Sequence, residues 1–324
     1  MDYRDILDPF ERMLEQIADP AAVRAVEQGA SPATMWDAVL QSGFLDALVA
    51  ESAGGFGLPG SAVEPLWQAL GRCAVPLPVG ETMIARMLLA AAGIGAPDGP
   101  ITLVAATAAG ETVVPLGLVA CHALVEQGGG VALVEISEAD RKRAGGADPL
   151  AGRFGLGQLG AAMPAPAGGL RRMCAVLRAS QIAGAADRLV AMTASYANER
   201  VQFGKPIGRQ QALQQSMAVM AEEAVAARIA AQLGVAGGLP PSLAAAATAK
   251  SVASKAAARV AATAHAVHGA IGISEEHDLQ LFTRRLHAWR LSDGSESYWN
   301  RLLGDIRLDA AVNSVDFVRG AFAV

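Results

Sequence analysis

From Leu170 to about Ile271 the chain reads as three long helical runs with two interruptions, and helices become stable in water chiefly by packing an apolar face against a neighbour. In the first run Ile182, Ala186, Leu189, Met192 and Tyr196 recur at spacings of four, three, three and four, one face of an α-helix. Gly204 and Pro206 stop that run, and a second amphipathic run begins near Ile207. The next interruption, GVAGGLPPS at 234–242, ends in Ser242, whose hydroxyl suits a helix N-cap. Alanine saturates the third run; it favours helix strongly and lets neighbouring helices approach closely. A fourth helix is expected at about 276–290, with further helical segments beyond it. The pattern predicts an antiparallel four-helix bundle.

Upstream the pattern differs. Residues 1–97 read as several shorter helices: Met35, Leu40, Phe44 and Leu48 lie on helix-like spacings, and ESAGGFGLPG at 51–60 breaks the pattern. Ser61 is placed to cap the next helix, which carries Trp67 and Leu70 towards Cys73. The glycines at 54–57 follow no strand and lack phosphate-loop spacing, so they read as a connection between helices. Residues 98–160 hold short β-prone runs at Ile101–Ala105, Thr112–Pro115, Leu116–Ala120, Ala123–Val125 and Val131–Ile136. The stretch 155–169, GLGQLGAAMPAPAGG, is a linker by composition. The expected fold is mainly α with a small β domain: helical residues 1–97, β residues 98–160, and a bundle over 161–324.

Composition removes several classes of function. Hydrophobic residues make up 52% and charged residues 18%, which describes a globular chain and not a disordered one. A net charge of −5, with no basic run interleaved with aromatics, argues against nucleic acid. The three cysteines are isolated, without C-x-x-C, so neither a zinc site nor a disulfide framework is expected. The N-terminus has no signal-peptide core, and no uncharged run is long enough to span a membrane; a cytoplasmic location is expected.

The stretch richest in chemistry is YANERVQFGKPIGRQQ at 196–211. Its breakers place Arg200, Gln202 and Phe203 on a short turn between two helices. A guanidinium can fork onto phosphate oxygens, an aromatic face can cover an adenine ring, and glycine lets backbone approach a ligand. The string resembles the signature of the acyl-CoA dehydrogenase family, in which this turn grips the pyrophosphate and adenine half of FAD bound mainly by a neighbouring subunit. Gln211 falls where the family has a second FAD-contacting glutamine. The order LVAESAGGFGLPG, LGRCAVPLPVGET and an apolar helix ending AAAG resembles the family's N-terminal helical domain. The likeness therefore covers nearly the whole chain. It implies FAD as cofactor, contacted by Arg200, Gln202, Phe203, Gly204 and Gln211.

Two further motifs follow from that resemblance. The family's Q-x-x-G-G-x-G turn falls on Ala266, Gly269, Ala270 and Gly272, so the outer glycines remain as FAD contacts while the glutamine and middle glycine are alanines. A helix C-cap at Gly269 is the other reading of the same residue. The family's catalytic glutamate, in a Y-E-G-T turn, falls on Asp293 within SDGS at 292–295. A carboxylate there removes the acyl α-proton while the β-hydride leaves. Aspartate is shorter by one carbon–carbon bond of about 1.5 Å, a misplacement that can cost orders of magnitude in rate. Asp293 also reads as a helix N-cap. The family's flavin-ring loop, roughly T-E-P-x-x-G-S-D, has no counterpart.

These features imply α,β-desaturation of an acyl-CoA thioester by a subunit that completes the FAD site of a heteromeric complex, similar to those of steroid side-chain degradation. The alternatives are a self-sufficient dehydrogenase using Asp293 and a helical scaffold that has lost FAD. Expected partners are the acyl-CoA, a homologous subunit or second copy, and an electron-transfer acceptor protein. Of the histidines, His265 and His268 flank the glycine turn, His277 and His287 lie on charged segments and His122 falls in the β region. None has the company a metal requires, so packing or surface roles are expected. Arg284, Arg285 and Arg290 read as a solvated basic face.

Overall fold

Helices α1 (Arg4–Ile17), α2 (Pro20–Glu27), α3 (Ala33–Gln41), α4 (Gly60–Arg72) and α5 (Val79–Ala91) come first in the computed structural model, which describes residues 4–105, 111–137, 141–156, 159–160 and 163–322. The Asp19 carboxylate accepts from the Ala21 and Ala22 amides at 2.8 and 2.9 Å, satisfying two amides that α2 cannot. Ser61 does not cap α4. Pro59 holds extended backbone (φ −68°, ψ 156°), the helix opens at Gly60, and exposed Ser61 is already inside it. The run through Phe44 and Leu48 also departs from a continuous helix: α3 ends at Gln41, and Gly43 at φ +78° leads into a 3-10 turn over Phe44–Asp46.

Strands β1 (Ile101–Val104), β3 (His122–Gln127), β4 (Gly130–Glu135) and β7 (Met163–Pro164) form one sheet in the order β1-β3-β4-β7, with β1 and β3 parallel and the other pairs antiparallel. A second, antiparallel sheet joins β2 (Glu111–Val114), β6 (Gly152–Gly155) and β5 (Lys142–Arg143). Leu116–Ala120 is not a strand. Leu116 sits at φ +54° and its carbonyl accepts from the Val119 and Ala120 amides, so the segment coils and buries Val119 and Ala120 without strand pairing. The stretch read as linker likewise contributes β7, in register with Val131. Thr82 ties α5 to β1: its Oγ1 accepts from the Ile101 amide at 3.0 Å and donates to the Pro78 carbonyl at 2.7 Å.

Helices α6 (Gly169–Glu199), α7 (Gln211–Ala236) and α8 (Leu243–His268) pack mutually, and α9 (Leu279–Leu291) lies across α6 and α8. Two more, α10 (Glu296–Asp309) and α11 (Ser314–Ala321), follow, with α10 against α8. Ser242 caps α8 as its sequence suggests, accepting from the Ala245 amide at 3.1 Å. The alanines do what close packing requires: Ala246, Ala249, Ala253 and Ala257 are fully buried, and a methyl on Gly234 would come within 2.7 Å of Ala249 Cβ. The closest approach is between α4 and α6. A Cβ on Gly184 would lie 1.8 Å from the Gln68 carbonyl oxygen, and one on Gly71 would lie 2.0 Å from that of Gln181. The two backbones thus touch, and one apolar core runs from Trp67 and Leu66 on α4 to Leu177 and Ile182 on α6.

Candidate functional site

Helix α6 ends at Glu199, where Arg200 turns to extended backbone (φ −72°, ψ 115°). The segment after it is a small hairpin and not a plain turn: Val201 pairs with Pro206 and Gln202 with Lys205. Phe203 and Gly204 form its two-residue tip with φ of +52° and +77°, the signs that a type I′ turn demands. Glycine takes that conformation freely; Phe203 takes it under strain, and its side chain is 92% exposed. An aromatic ring held outward at such a backbone position suits a docking role better than a packing one. The Ile207 amide closes the hairpin base on the Arg200 carbonyl at 2.8 Å, and buried Ile207 seats it on Ala197 and Val267. Arg200, Gln202 and Gln211 are all exposed, and no described residue hydrogen-bonds or ion-pairs with the Arg200 guanidinium.

Beside the hairpin lies the end of α8. Gly269 terminates that helix at φ +62°, the C-cap expected of it, and a 3-10 turn carries the chain over Gly269–Ile273. Gly272 is buried, because a methyl there would meet Leu279 Cδ2 at 2.9 Å and His268 Cβ at 3.0 Å. A stack of rings joins this turn to the hairpin. Tyr196, one turn before Arg200, stacks on His268 with centroids 4.4 Å apart and planes at 20°, and its hydroxyl donates to the His268 carbonyl at 3.3 Å. His277 meets His268 edge-on at 5.0 Å. His268 Nδ1 lies 2.8 Å from the Ala264 carbonyl, which can only accept, so the ring carries its proton on Nδ1. Its Nε2 is buried with no partner, and burial lowers its pKa.

At the far end of α6 a different cluster surrounds Asp293. That residue is not an N-cap; the cap position of α10 is Ser295, and Asp293 stands in the preceding turn at φ +59°. Its carbonyl accepts from Trp299 Nε1 at 3.1 Å. Lys250 pins the same turn, its buried ammonium donating at 2.9 Å each to Ser254 Oγ, the Arg290 carbonyl and the Gly294 carbonyl. Burial pushes the Lys250 pKa down to about 7, with Asp293 opposing the fall. The Asp293 carboxylate faces Arg178, with Oδ2 3.7 Å from Nε. Arg178 itself donates to Glu81 at 2.5 Å and to Gln181 at 2.7 Å. Burial disfavours the Arg178 charge, and Glu81 and Asp293 together more than offset it. A cavity of about 280 Å³ opens here, lined in part by Val104, Pro115, Arg171 and Asp293.

The arrangement therefore brings Arg200, Gln202, Phe203 and Gly204 together with the Gly269–Gly272 turn and leaves Asp293 elsewhere. Arg178 and Arg200 sit near opposite ends of α6, about 33 Å apart at the helical rise of about 1.5 Å per residue. Arg284 and Arg285 are not a solvated face: both bond the buried Glu27, at 2.5 and 2.6 Å. Arg290 pairs with Glu296. Glu81, Arg178, Lys250 and the Tyr196–His268 stack were not singled out as site residues by sequence reasoning. The signal for the first three is a lone charge within an apolar helical run.

Acyl-CoA dehydrogenase IpdE2 of Mycobacterium tuberculosis is 31% identical over 282 residues, covering 83% of this chain and 86% of that protein. The chain belongs to the acyl-CoA dehydrogenase family. The family's C-terminal domain matches residues 172–305. Among solved structures, the ChsE4-ChsE5 complex from Mycobacterium tuberculosis shares the fold at a TM-score of 0.79 and 21% identity, covering 96% of this chain and all 100% of that one. The Tcur3481-Tcur3483 steroid ACAD does so at 0.84 and 24%, covering 96% and 99%. The chain is thus an oxidoreductase of the acyl-CoA dehydrogenase type, with a helical N-terminal part, a small β region and a C-terminal bundle. Among the described residues no helix is long and apolar enough to cross a membrane, and no group of His, Cys, Asp or Glu is placed to hold a metal.

Proposed function

We propose that this chain completes the FAD site of a homologous partner in a heteromeric acyl-CoA dehydrogenase that desaturates an acyl-CoA thioester between Cα and Cβ. The observation that carries this reading is the separation along α6. A grip about 33 Å along α6 from Arg178, the residue that faces Asp293, serves a site other than the Asp293 cavity. The naming of a two-component complex and a two-component steroid ACAD among the structural relatives supports the same view. So do the exposed Val219, Val225 and Ile229 on α7, apolar residues that a subunit contact would cover.

The residues of the hairpin fit an anionic dinucleotide. Arg200 has its fork of donors free for phosphate oxygens, Phe203 offers an open ring face for adenine, and Gln202 and Gln211 add amides. Gly204 keeps the tip slim, and Gly269, with open space where a Cβ would stand, lets backbone come close on the other side, while Gly272 packs inward against Leu279 and His268. When bound, FAD supplies the acceptor for the hydride that leaves Cβ. This chain's part is to hold and orient. Asp293 stands where the resemblance places the family's base, yet its carboxylate is turned toward the buried Arg178. The working base then comes from the partner, and the electrons pass to an acceptor protein. The division of the chain near residues 97 and 160 belongs to the same reading.

Flavin content tests it. Co-expression with the partner should give a yellow complex that reduces an electron acceptor on addition of acyl-CoA, and Arg200→Ala should strip most of the flavin. Asp293→Asn should leave turnover of the complex within about threefold, since an interaction not made in the transition state does not set the rate. Strong acyl-CoA-dependent activity of the chain alone that collapses in Asp293→Asn would overturn the proposal in favour of a self-sufficient enzyme. Absence of flavin under every condition would leave a scaffold.

A further inference from the structure

Two segments from different helices make up the proposed grip, and something must hold them in register. The hairpin hangs from the end of α6 and the glycine turn from the end of α8, and neither donates a backbone hydrogen bond to the other. The contacts between them are the small apolar seat of Ala197, Ile207 and Val267 and the rings of Tyr196 and His268. Each ring is locked to its own segment. The Arg200 amide donates to the Tyr196 carbonyl at 2.9 Å, so Tyr196 is the last anchor of α6 before the hairpin. His268 immediately precedes Gly269, and its own carbonyl receives the Tyr196 hydroxyl. Behind them, the loop bearing His277 is held by Arg24, which donates to the Glu276 carbonyl at 3.4 Å and pairs with Asp278.

We propose that Tyr196 and His268 are positioning residues for cofactor binding, their stacked rings setting the distance and angle between the Arg200–Gly204 hairpin and the Gly269–Gly272 turn. The inference rests on the reading of those two segments as an FAD grip. It adds a pH sensitivity that the grip itself does not require. With Nδ1 donating to Ala264, a second proton on His268 has to go to Nε2, which is buried and has no acceptor. The titratable groups facing it are His277, edge-on from the loop before α9, His265 on its own helix, and Tyr196 on α6; none is a carboxylate. Protonation therefore strands a buried N–H donor and weakens the closed arrangement, so cofactor binding and protonation of His268 oppose each other.

The test measures FAD affinity of the assembled complex by flavin fluorescence, with light scattering to verify assembly. Tyr196→Leu removes the stack and should weaken FAD about fivefold to tenfold, the worth of an aromatic pair. Tyr196→Phe keeps the ring and should stay within about twofold. Wild-type affinity should fall as pH drops through the His268 pKa, which burial holds below the usual histidine value of about 6.5. His268→Phe retains a stacked ring that cannot titrate, so it should bind FAD within about threefold of wild type at pH 7.5 and lose that acid dependence. A merely structural residue would not move the pH profile. If Tyr196→Leu binds FAD as wild type does while Arg200→Ala does not, the positioning role is wrong and the grip stands. If Arg200→Ala also keeps FAD, the grip itself is wrong. Should Tyr196→Leu fail to assemble, the comparison of wild type with His268→Phe decides: an unchanged acid dependence overturns the proposal.

Discussion

Arg178 offers the sharpest test of how the interior is balanced. It is 2% exposed, donates to Glu81, which is fully buried, and faces Asp293 at 3.7 Å. Arg178→Met keeps much of the volume and removes the charge, leaving the buried Glu81 and the half-buried Asp293 without their shared guanidinium, with Lys250 left to offset Asp293. Breaking a buried pair from one side typically costs about 3–5 kcal/mol, because the remaining charge is stranded without water. Glu81→Gln keeps an oxygen acceptor for the guanidinium and leaves Asp293 as its counter-charge, so about 2–4 kcal/mol is expected. The double variant carries neither stranded partner of that pair. It should be no less stable than Arg178→Met alone, giving a coupling of about 2 kcal/mol or more. Urea unfolding followed by far-UV circular dichroism gives each value from the midpoint at constant slope. Losses that simply add, or an Arg178→Met variant within about 1 kcal/mol of wild type, would refute the argument that this cluster is a closed charge unit.

Three other perturbations separate competing effects. Gly184→Ala gains about 1 kcal/mol of helix propensity, but its methyl would sit 1.8 Å from the Gln68 carbonyl oxygen, so overpacking should win and the melting temperature should fall; a rise would show that α4 and α6 part easily. Lys250 has a folded pKa of about 7 against its ordinary 10.5, so between those values the unfolded chain binds more protons and stability rises with pH; the difference between wild type and Lys250→Met should grow in favour of wild type from pH 7 to 9. Glu64 runs the other way: burial raises its pKa from 4.5 to about 7, against the Gln68 amide that bonds it, so the folded chain binds more protons in that window. Stability relative to Glu64→Gln should fall as pH climbs from 4.5 to 7, and a flat difference would mean that the carboxyl is ionised throughout.

What the sequence discloses depends on how locally each feature is determined. The bundle is legible because Ile182, Ala186, Leu189 and Tyr196 repeat within one helix, and Ser242 caps α8 through a contact three residues away. Arg200–Gly204 is legible as a break, but its hairpin form depends on Phe203 accepting a positive φ, which a bulky residue rarely does. Leu116–Ala120 has β composition and no strand, since burial asks only for apolar residues while pairing asks for a neighbour. The charges are hidden for a plainer reason. Arg285 reads as surface until Glu27, 258 residues earlier, is folded against it. Arg178, Lys250 and Asp293 meet only when α6, α8 and the turn after α9 are packed. No spacing rule links positions that far apart.

The touching backbones of α4 and α6 give the family's domain border an unexpected meaning. The C-terminal domain as families delimit it begins at residue 172, inside α6, yet the face of α6 at Gly184 is moulded around a helix that belongs to the N-terminal part. A fragment cut at that border would carry a notch shaped for a missing backbone, with Leu177 and Ile182 laid open to water beside it. The first helices and the bundle share a backbone-to-backbone contact here, at the carbonyls of Gln68 and Gln181. The strands between Ile101 and Pro164 do not pass through that joint, so the packing of α4 on α6 does not constrain them directly.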